Sequence, residues 1–109
     1  STPIKIETRI NLPKVPLQVS QQLFLIVKEG LTNIQKHAQA STVKVWAQGT
    51  SEGIAIGLSD DGVGVMPEEL NTSGYGLRGM RERVQLLGGQ MTIQSTPEKG
   101  TLIQVMVPQ

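Results

Sequence analysis

Alternation of apolar and polar positions with a period of two predicts the β-strands of this chain. In the first strand Ile4, Ile6 and Ile10 alternate with charged side chains, and two prolines then close the pattern. Two further strands joined near Gly49 to Gly53 fit a hairpin. The predicted strands cover about residues 4–10, 43–47, 54–58, 90–95 and 101–107. Because the alternation is single-faced, we expect one sheet with helices packed on one side.

Apolar positions spaced three and four residues apart predict two helices. The first runs from about Val19 to His37. The second follows Gly74 and Gly76 and ends at Gly88 and Gly89, which favour a helix C-cap. The apolar stripes are Leu23, Val27, Leu31, Ile34 and Ala38 in the first helix, and Leu77, Met80, Val84 and Leu87 in the second.

The predicted organisation is one α+β domain over residues 1–109, a two-layer α/β sandwich whose mixed sheet of about five strands has helices on one face. The polar segment Met66 to Ser73 is expected to be mobile. A formal charge of +1 gives no reason to expect direct nucleic-acid binding, and without cysteine there is no disulfide framework. The longest wholly apolar run, Leu23 to Val27, is far too short to span a bilayer. Because the chain starts at Ser1 without methionine, we expect an excised domain.

Four polar side chains share one stripe of the first helix. Glu29, Asn33, Lys36 and His37 fall within an arc of about 100° when successive residues turn by about 100°. A second polar stretch, Asp60 to Gly64, places a carboxylate at the end of an apolar strand, followed by glycines that let a ligand approach the backbone. There is no Walker P-loop in the chain. The two stretches together predict a nucleotide site of another kind.

Four motifs in order resemble the catalytic, ATP-binding domain of sensor histidine kinases, within the superfamily shared with DNA gyrase, mismatch-repair ATPases and heat-shock chaperones. They are EGLTNIQKHA (29–38), SDDGVGV (59–65), GYGLRGMRERV (74–84) and KGTLIQVMVP (99–108). The resemblance covers nearly the whole chain and implies the Bergerat-type version of the sandwich. The Lys-His-Ala ending of the first motif and the phrase GLRGMRER (76–83) look like the nitrate-sensor subgroup.

The resemblance implies a division of roles among the polar residues. Asn33 would bind Mg²⁺, which prefers oxygen ligands and keeps several waters. Glu29 would order a metal-bound water or assist proton removal from the nucleophile. Lys36 would neutralise phosphate charge. Asp60 would accept a hydrogen bond from the adenine amino group, and the Thr101 hydroxyl would support the base through water.

Backbone contacts and one histidine complete the candidate site. Gly62 and Gly64 would let the backbone approach ATP. Amide groups at the start of the second helix, where the helix dipole favours anions, would bind phosphate; these belong to Gly74, Tyr75, Gly76 and Leu77. His37 is included as a candidate contact, although a histidine beside an apolar helix face is more often packed and hydrogen-bonded.

The expected function is that of a protein histidine kinase domain that binds ATP and Mg²⁺ and donates the γ-phosphate. Because the only histidine, His37, lies in the nucleotide helix, the acceptor is expected on a separate dimerisation domain, with a response regulator downstream. The isolated domain is expected to be monomeric, cytoplasmic and inactive in autophosphorylation, and the full-length protein dimeric and possibly membrane-anchored. The alternatives are a serine kinase of the anti-sigma-factor type, a DNA-remodelling ATPase and a nonenzymatic ATP-sensing module. A dinucleotide site at Gly74, Gly76 and Gly79 is disfavoured, because the segment before Gly74 is polar rather than a buried strand.

Overall fold

One five-stranded sheet organises the domain. The computed structural model describes residues 3–37, 39–63, 77–96 and 98–109. The elements are β1 (Lys5–Asn11), α1 (Leu17–His37), β2 (Thr42–Thr50), β3 (Gly53–Asp60), α2 (Leu77–Leu86), β4 (Gln90–Thr96) and β5 (Gly100–Pro108). The strand order is β1-β2-β3-β5-β4, with β1 parallel to β2 and the other neighbours antiparallel. The predicted mixed-sheet α+β sandwich is therefore confirmed.

The core lies between the helices and one face of the sheet. Its strand residues are Val43, Val45, Ala47, Ile54, Ile56, Leu58, Ile103, Val105 and Val107. Its helix residues are Leu23, Ile26 and Ile34 from α1, and Leu77, Met80 and Val84 from α2. Ile26 is fully buried, whereas the predicted Val27 and Leu31 are only partly buried. The buried stripe of α1 is turned from its predicted position because α1 packs on α2 as well as on the sheet.

The first strand is less buried than its alternation predicts. Ile6 and Ile10 are 53% and 56% exposed. Because β1 is an edge strand, it has a neighbouring strand on one side only. Its alternating pattern thus predicted the strand correctly but not its burial.

Close packing explains the glycine in the middle of α1. A Cβ at Gly30 would lie 2.9 Å from a terminal methyl of Leu58 in β3 and 3.4 Å from the methyl of Met80 in α2. The missing side chain lets α1 lie against β3 two residues before that strand ends at Asp60. The packing advantage offsets a helix-propensity cost of about 1 kcal/mol relative to alanine.

The second helix ends as its sequence predicts. Gly88 has a left-handed φ of 71°. Its N–H donates to the Gln85 carbonyl, and the Gly89 N–H donates to the Val84 carbonyl, both at 2.9 Å. This pair of bonds is the Schellman arrangement of a helix C-terminus. The predicted mobile segment Met66 to Ser73 lies outside the described residues. Neither described helix is long and apolar enough to cross a membrane.

Candidate functional site

Asp60 is a buried carboxylate at the end of β3. Its side chain continues the core-facing stripe of Ile54, Ile56 and Leu58, and the residue is 9% exposed. The Oδ1 atom accepts a hydrogen bond from the Gly62 N–H at 2.8 Å. No described residue gives the buried Oδ2 atom a hydrogen bond.

The environment of Asp60 makes its ionised form less favourable than it is in water. Burial raises the pKa of the Asp60 carboxyl, and the nearby charge of Asp61 acts in the same direction. Hydrogen bonds from the backbone amides of Gly62 and Thr101 oppose these effects but do not cancel them. A ligand that donates a hydrogen bond to Oδ2 would therefore stabilise a carboxylate that the fold leaves incompletely paired.

Asp61 has a structural role, unlike its neighbour Asp60. Its Oδ1 atom accepts hydrogen bonds from the backbone N–H groups of Ser41 and Thr42, both at 2.9 Å, and its Oδ2 atom accepts the Ser41 hydroxyl at 2.6 Å. The Ser41 hydroxyl is the main cause of a lowered Asp61 pKa. The exposed Asp61 carboxylate thus fixes the start of β2.

The start of β5 lies directly beside Asp60. Gly100 has a φ of 94°, and a Cβ at this position would overlap the Asp60 carbonyl oxygen. The Thr101 hydroxyl lies 2.8 Å from the Ser95 hydroxyl on β4. Asp60 and Thr101 also line one small cavity of about 240 Å³. The structure therefore brings the two residues assigned to the adenine base next to each other.

Glu29 and Asn33 lie one turn apart on α1. The Oε1 atom of Glu29 accepts a hydrogen bond from Arg83 Nε at 2.9 Å. Within the described part of the chain, the buried Oε2 of Glu29 and the buried Nδ2 of Asn33 have no hydrogen-bond partner. Arg83 was not assigned to the site from the sequence.

Three unpartnered buried atoms thus belong to Glu29, Asn33 and Asp60. They are the buried side-chain polar atoms without a partner among the residues that the structure describes. Since buried polar groups are nearly always hydrogen-bonded in native proteins, each needs an explanation, and a ligand supplies one. The Gly30–Leu58 contact places this part of α1 against β3, two residues before Asp60.

Some of the other candidate residues lie in the described structure, and the rest lie outside it. Lys36 is exposed, and Gly62 is buried beside Asp60. Leu77 begins α2 with its side chain in the core. His37 ends α1, but its side chain is outside the described part, as are four of the predicted residues: Gly64, Gly74, Tyr75 and Gly76.

The sequence indicates the two helix faces that Arg83 connects, but not the contact between them. Gln22 and Glu29 are seven residues apart and so share a face of α1, and Gly79 and Arg83 are four apart and share a face of α2. These spacings identify two faces but not that they meet. The packing of α1 on α2, which brings the faces together, depends on the tertiary structure.

Comparison with known families identifies the class of domain. Residues 18–109 match the sequence model of the family described as histidine kinase-, DNA gyrase B-, and HSP90-like ATPase. The chain therefore belongs to this family. It is a histidine kinase-type ATPase domain, homologous to sensor kinases.

Relatives of the chain include two bacterial kinases. The signal transduction histidine-protein kinase/phosphatase UhpB of Salmonella typhimurium is 45% identical over 101 residues, covering 91% of this chain and 20% of UhpB. The sensor histidine kinase LiaS of Bacillus subtilis is 36% identical over 106 residues, covering 97% of this chain and 29% of LiaS. The chain thus spans less than a third of the length of either relative.

Solved structures share the fold. The histidine kinase domain of the blue-light activated histidine kinase of Erythrobacter litoralis EL346 superimposes with a TM-score of 0.78 at 25% identity, covering 94% of this chain and 51% of that one. The ATP binding domain of PrrB from Mycobacterium tuberculosis gives a TM-score of 0.66 at 24% identity, covering 94% of this chain and 80% of that one. The second likeness concerns the fold alone.

Proposed function

We propose that this chain binds ATP with Mg²⁺ and donates the γ-phosphate to a histidine on a separate dimerisation domain of the same protein, for relay to a response regulator. The observation that carries the proposal is the set of buried atoms without a hydrogen-bond partner in the described structure: carboxylate oxygens of Asp60 and Glu29, which accept hydrogen bonds, and Asn33 Nδ2, which donates them. The unpartnered buried atoms belong to Glu29, Asn33 and Asp60, the residues whose motifs resemble those of histidine kinases.

Asp60 is proposed to recognise the adenine base. Its Oδ2 atom is a buried acceptor without a partner in the described structure, and an exocyclic amine is a donor that such an acceptor can bind. The Thr101 hydroxyl would support the base through a water molecule, and Thr101 lines the same cavity as Asp60. Binding of the amine would supply Asp60 Oδ2 with the hydrogen bond that it lacks in the described structure.

Asn33 and Glu29 are proposed to serve the phosphate end of ATP. The described residues contain no group of three or more His, Cys, Asp or Glu side chains able to hold a metal ion. A site with one amide oxygen suits Mg²⁺, which keeps several waters and takes its other ligands from phosphate oxygens. Bound there, Mg²⁺ would neutralise charge on the phosphates.

The transfer itself requires a nucleophile from outside this chain. A ring nitrogen of the acceptor histidine forms a bond to the γ-phosphorus as the bond to the bridging β–γ oxygen breaks, leaving ADP. The proton that the ring loses passes to the Glu29 carboxylate or to a water that Glu29 orders. Lys36 and the backbone amides of residues 74–77 are proposed to bind phosphate. His37 is a proposed ATP contact, and Gly62 and Gly64 are proposed to let the backbone approach ATP.

The wider assignment follows the family resemblance. We infer a parent protein of the nitrate-sensor type, with this domain on the cytoplasmic side of the membrane. The isolated domain would be monomeric and would bind ATP without autophosphorylation, and the full-length protein would be a dimer. Its response regulator would be the next acceptor of the phosphate.

Incubation of this chain with γ-labelled ATP and its native dimerisation domain tests the proposal. We expect label on the dimerisation domain, in a linkage that is labile to acid and stable to base. Asn33→Ala should abolish transfer, whereas Gln35→Ala, which removes an exposed amide from the same helix, should not. Base-labile, acid-stable label on serine would favour the anti-sigma-factor type of kinase. ATP binding without any transfer would favour an ATP-sensing module.

A further inference from the structure

Arg83 connects the two helices at the site. Its Nε atom donates to Glu29 Oε1 at 2.9 Å, and its Nη1 atom donates to Gln22 Oε1 at 3.3 Å. The Arg83 and Glu29 side chains are 32% and 30% exposed. The other arginine pair of α2, Arg78 with Glu82, has side chains that are 91% and 62% exposed. Arg83 therefore makes a partly buried contact between elements, and Arg78 makes an ordinary surface pair within one helix.

Gly79 completes the surface of α2 that receives Glu29. It precedes Arg83 by one helical turn, and a Cβ at this position would lie 3.0 Å from Glu29 Oε2. Few real Cβ atoms approach a neighbour so closely. Gly79 thus provides space for one carboxylate oxygen, while Arg83 binds the other.

The Glu29 carboxylate therefore has one oxygen bound by Arg83 and one oxygen without a hydrogen bond in the described structure. Glutamate has several rotamers, and each contact that fixes one of them reduces the entropy lost when the group acts. The arginine fork presents several donors in fixed directions, so one guanidinium binds Gln22 and Glu29 at once. The buried Oε2 atom has no hydrogen-bond partner in the described structure.

We propose that Arg83 is a positioning residue for phosphoryl transfer: its guanidinium binds Oε1 of Glu29 and so fixes the position of the Glu29 carboxylate on α1 during the transfer. This inference rests on the role proposed for Glu29 above. It assigns Arg83 no contact with ATP. Loss of Arg83 should therefore slow transfer at saturating ATP without weakening ATP binding.

The test compares variants of the full-length kinase that contains this domain. The rate of autophosphorylation at saturating ATP and the ATP concentration for half-maximal rate are measured for Arg83→Gln, Arg83→Lys, Glu29→Gln and the double variant Glu29→Gln/Arg83→Gln. Arg78→Gln is the matched control, because it removes an arginine from an ion pair on the same helix. Unchanged ATP dependence also shows that a variant domain is folded.

We expect Arg83→Gln to lower the saturated rate by about 10- to 100-fold, the usual effect of removing a group that orients another at a metal site. The ATP concentration for half-maximal rate should change by less than about twofold, and Arg78→Gln should behave as wild type. In the Glu29→Gln background, Arg83→Gln should have no further effect on the rate, because its target has already been changed. Arg83→Lys, which keeps the charge but not the fork, should recover only part of the rate.

Two results would overturn the inference alone. One is a normal saturated rate for Arg83→Gln when Glu29→Gln is impaired. The other is an independent loss in the double variant, equal to the product of the two single losses, since that would place Arg83 outside the action of Glu29. A normal rate for Glu29→Gln would instead refute the role proposed for Glu29, and this inference with it. If Arg83→Gln does not fold, Arg83→Lys alone and in the Glu29→Gln background provides the same comparison.

Discussion

Two adjacent carboxylates at the end of β3, Asp60 and Asp61, lie in opposite environments. Asp60 faces the core, has an unpartnered oxygen within the described structure and a raised pKa. Asp61 faces solvent, accepts three hydrogen bonds and has a lowered pKa. Because successive strand residues point to opposite faces, one step along the chain separates a residue that suits a ligand from one that stabilises the fold.

The comparison separates function from stability at adjacent positions. A carboxylate whose hydrogen bonds are complete has little to offer a ligand, whereas one that is buried and incompletely bonded costs free energy until a donor arrives. Proteins retain such costs mainly at functional sites. Asp60 fits this description, and Asp61 fits the opposite one.

Gly100→Ala should have the largest effect on stability, since a side chain at Gly100 would displace the backbone of Asp60. A side chain there would meet both an unfavourable φ and the Asp60 carbonyl. We expect the free energy of unfolding in urea to fall by more than about 2 kcal/mol. Gly88→Ala is the control, because Gly88 also has a positive φ, but the nearest atom to a Cβ there, on Pro108, is 3.8 Å away. It should lose only about 1 kcal/mol, and equal losses at the two positions would contradict the role of the Asp60 contact.

Asp61→Ala should destabilise the domain without changing its affinity for ATP. The substitution removes the acceptor of three hydrogen bonds that hold residues 41 and 42 at the start of β2. Urea unfolding at neutral pH measures the loss, and a fluorescent ATP analogue measures binding under conditions in which the variant is folded. A large loss of affinity would show that Asp61, too, belongs to the nucleotide site.

The smallest effects should appear in the pH dependence of stability. The ordinary pKa of both carboxyls is 3.8. The folded pKa of Asp60 is raised, so on increasing pH the unfolded state loses this proton first, and Asp60 lowers stability from pH 3.8 through its folded pKa. The folded pKa of Asp61 is lowered, so its stabilising contribution is present above pH 3.8 and is lost as pH falls through the folded pKa.

Substitution by asparagine should reveal the two signs. Relative to wild type, Asp60→Asn should gain stability as pH rises from 3 to 7, and Asp61→Asn should lose stability as pH rises to 3.8 and stay below wild type. Urea unfolding at several pH values between 3 and 7 measures both differences. Changes of the same sign in the two variants would contradict the contrast between the carboxylates.

Much of the fold was predictable because its signals are local. Alternation predicted the strands, and apolar spacing with Gly88 and Gly89 predicted where α2 ends. The exposure of Ile6 was not predictable, since a pattern does not say whether a strand lies at the edge of its sheet. The full burial of Ile26 was also missed, because it depends on how α1 packs in the tertiary structure.

The candidate site was predicted from motifs, and the assignments remain predictions. Glu29, Asn33 and Asp60 were assigned from their motifs, and their unpartnered atoms support the proposal without testing the roles. The pairing of Glu29 with Arg83 joins residues 54 positions apart, so no local pattern contains it. The contrast between Asp60 and Asp61 was present in the sequence, because Asp60 continues the buried alternation of β3.

The most direct test of the central claim is a titration of this chain with a fluorescent ATP analogue, comparing Asp60→Asn with Asp61→Asn. The two variants remove the same charge from adjacent residues. We expect Asp60→Asn to lower the affinity by about 10- to 150-fold, which corresponds to about 1.5 to 3 kcal/mol for a hydrogen bond to a charged group. Asp61→Asn should bind as wild type does. Wild-type affinity in Asp60→Asn would contradict the claim that Asp60 binds the adenine base.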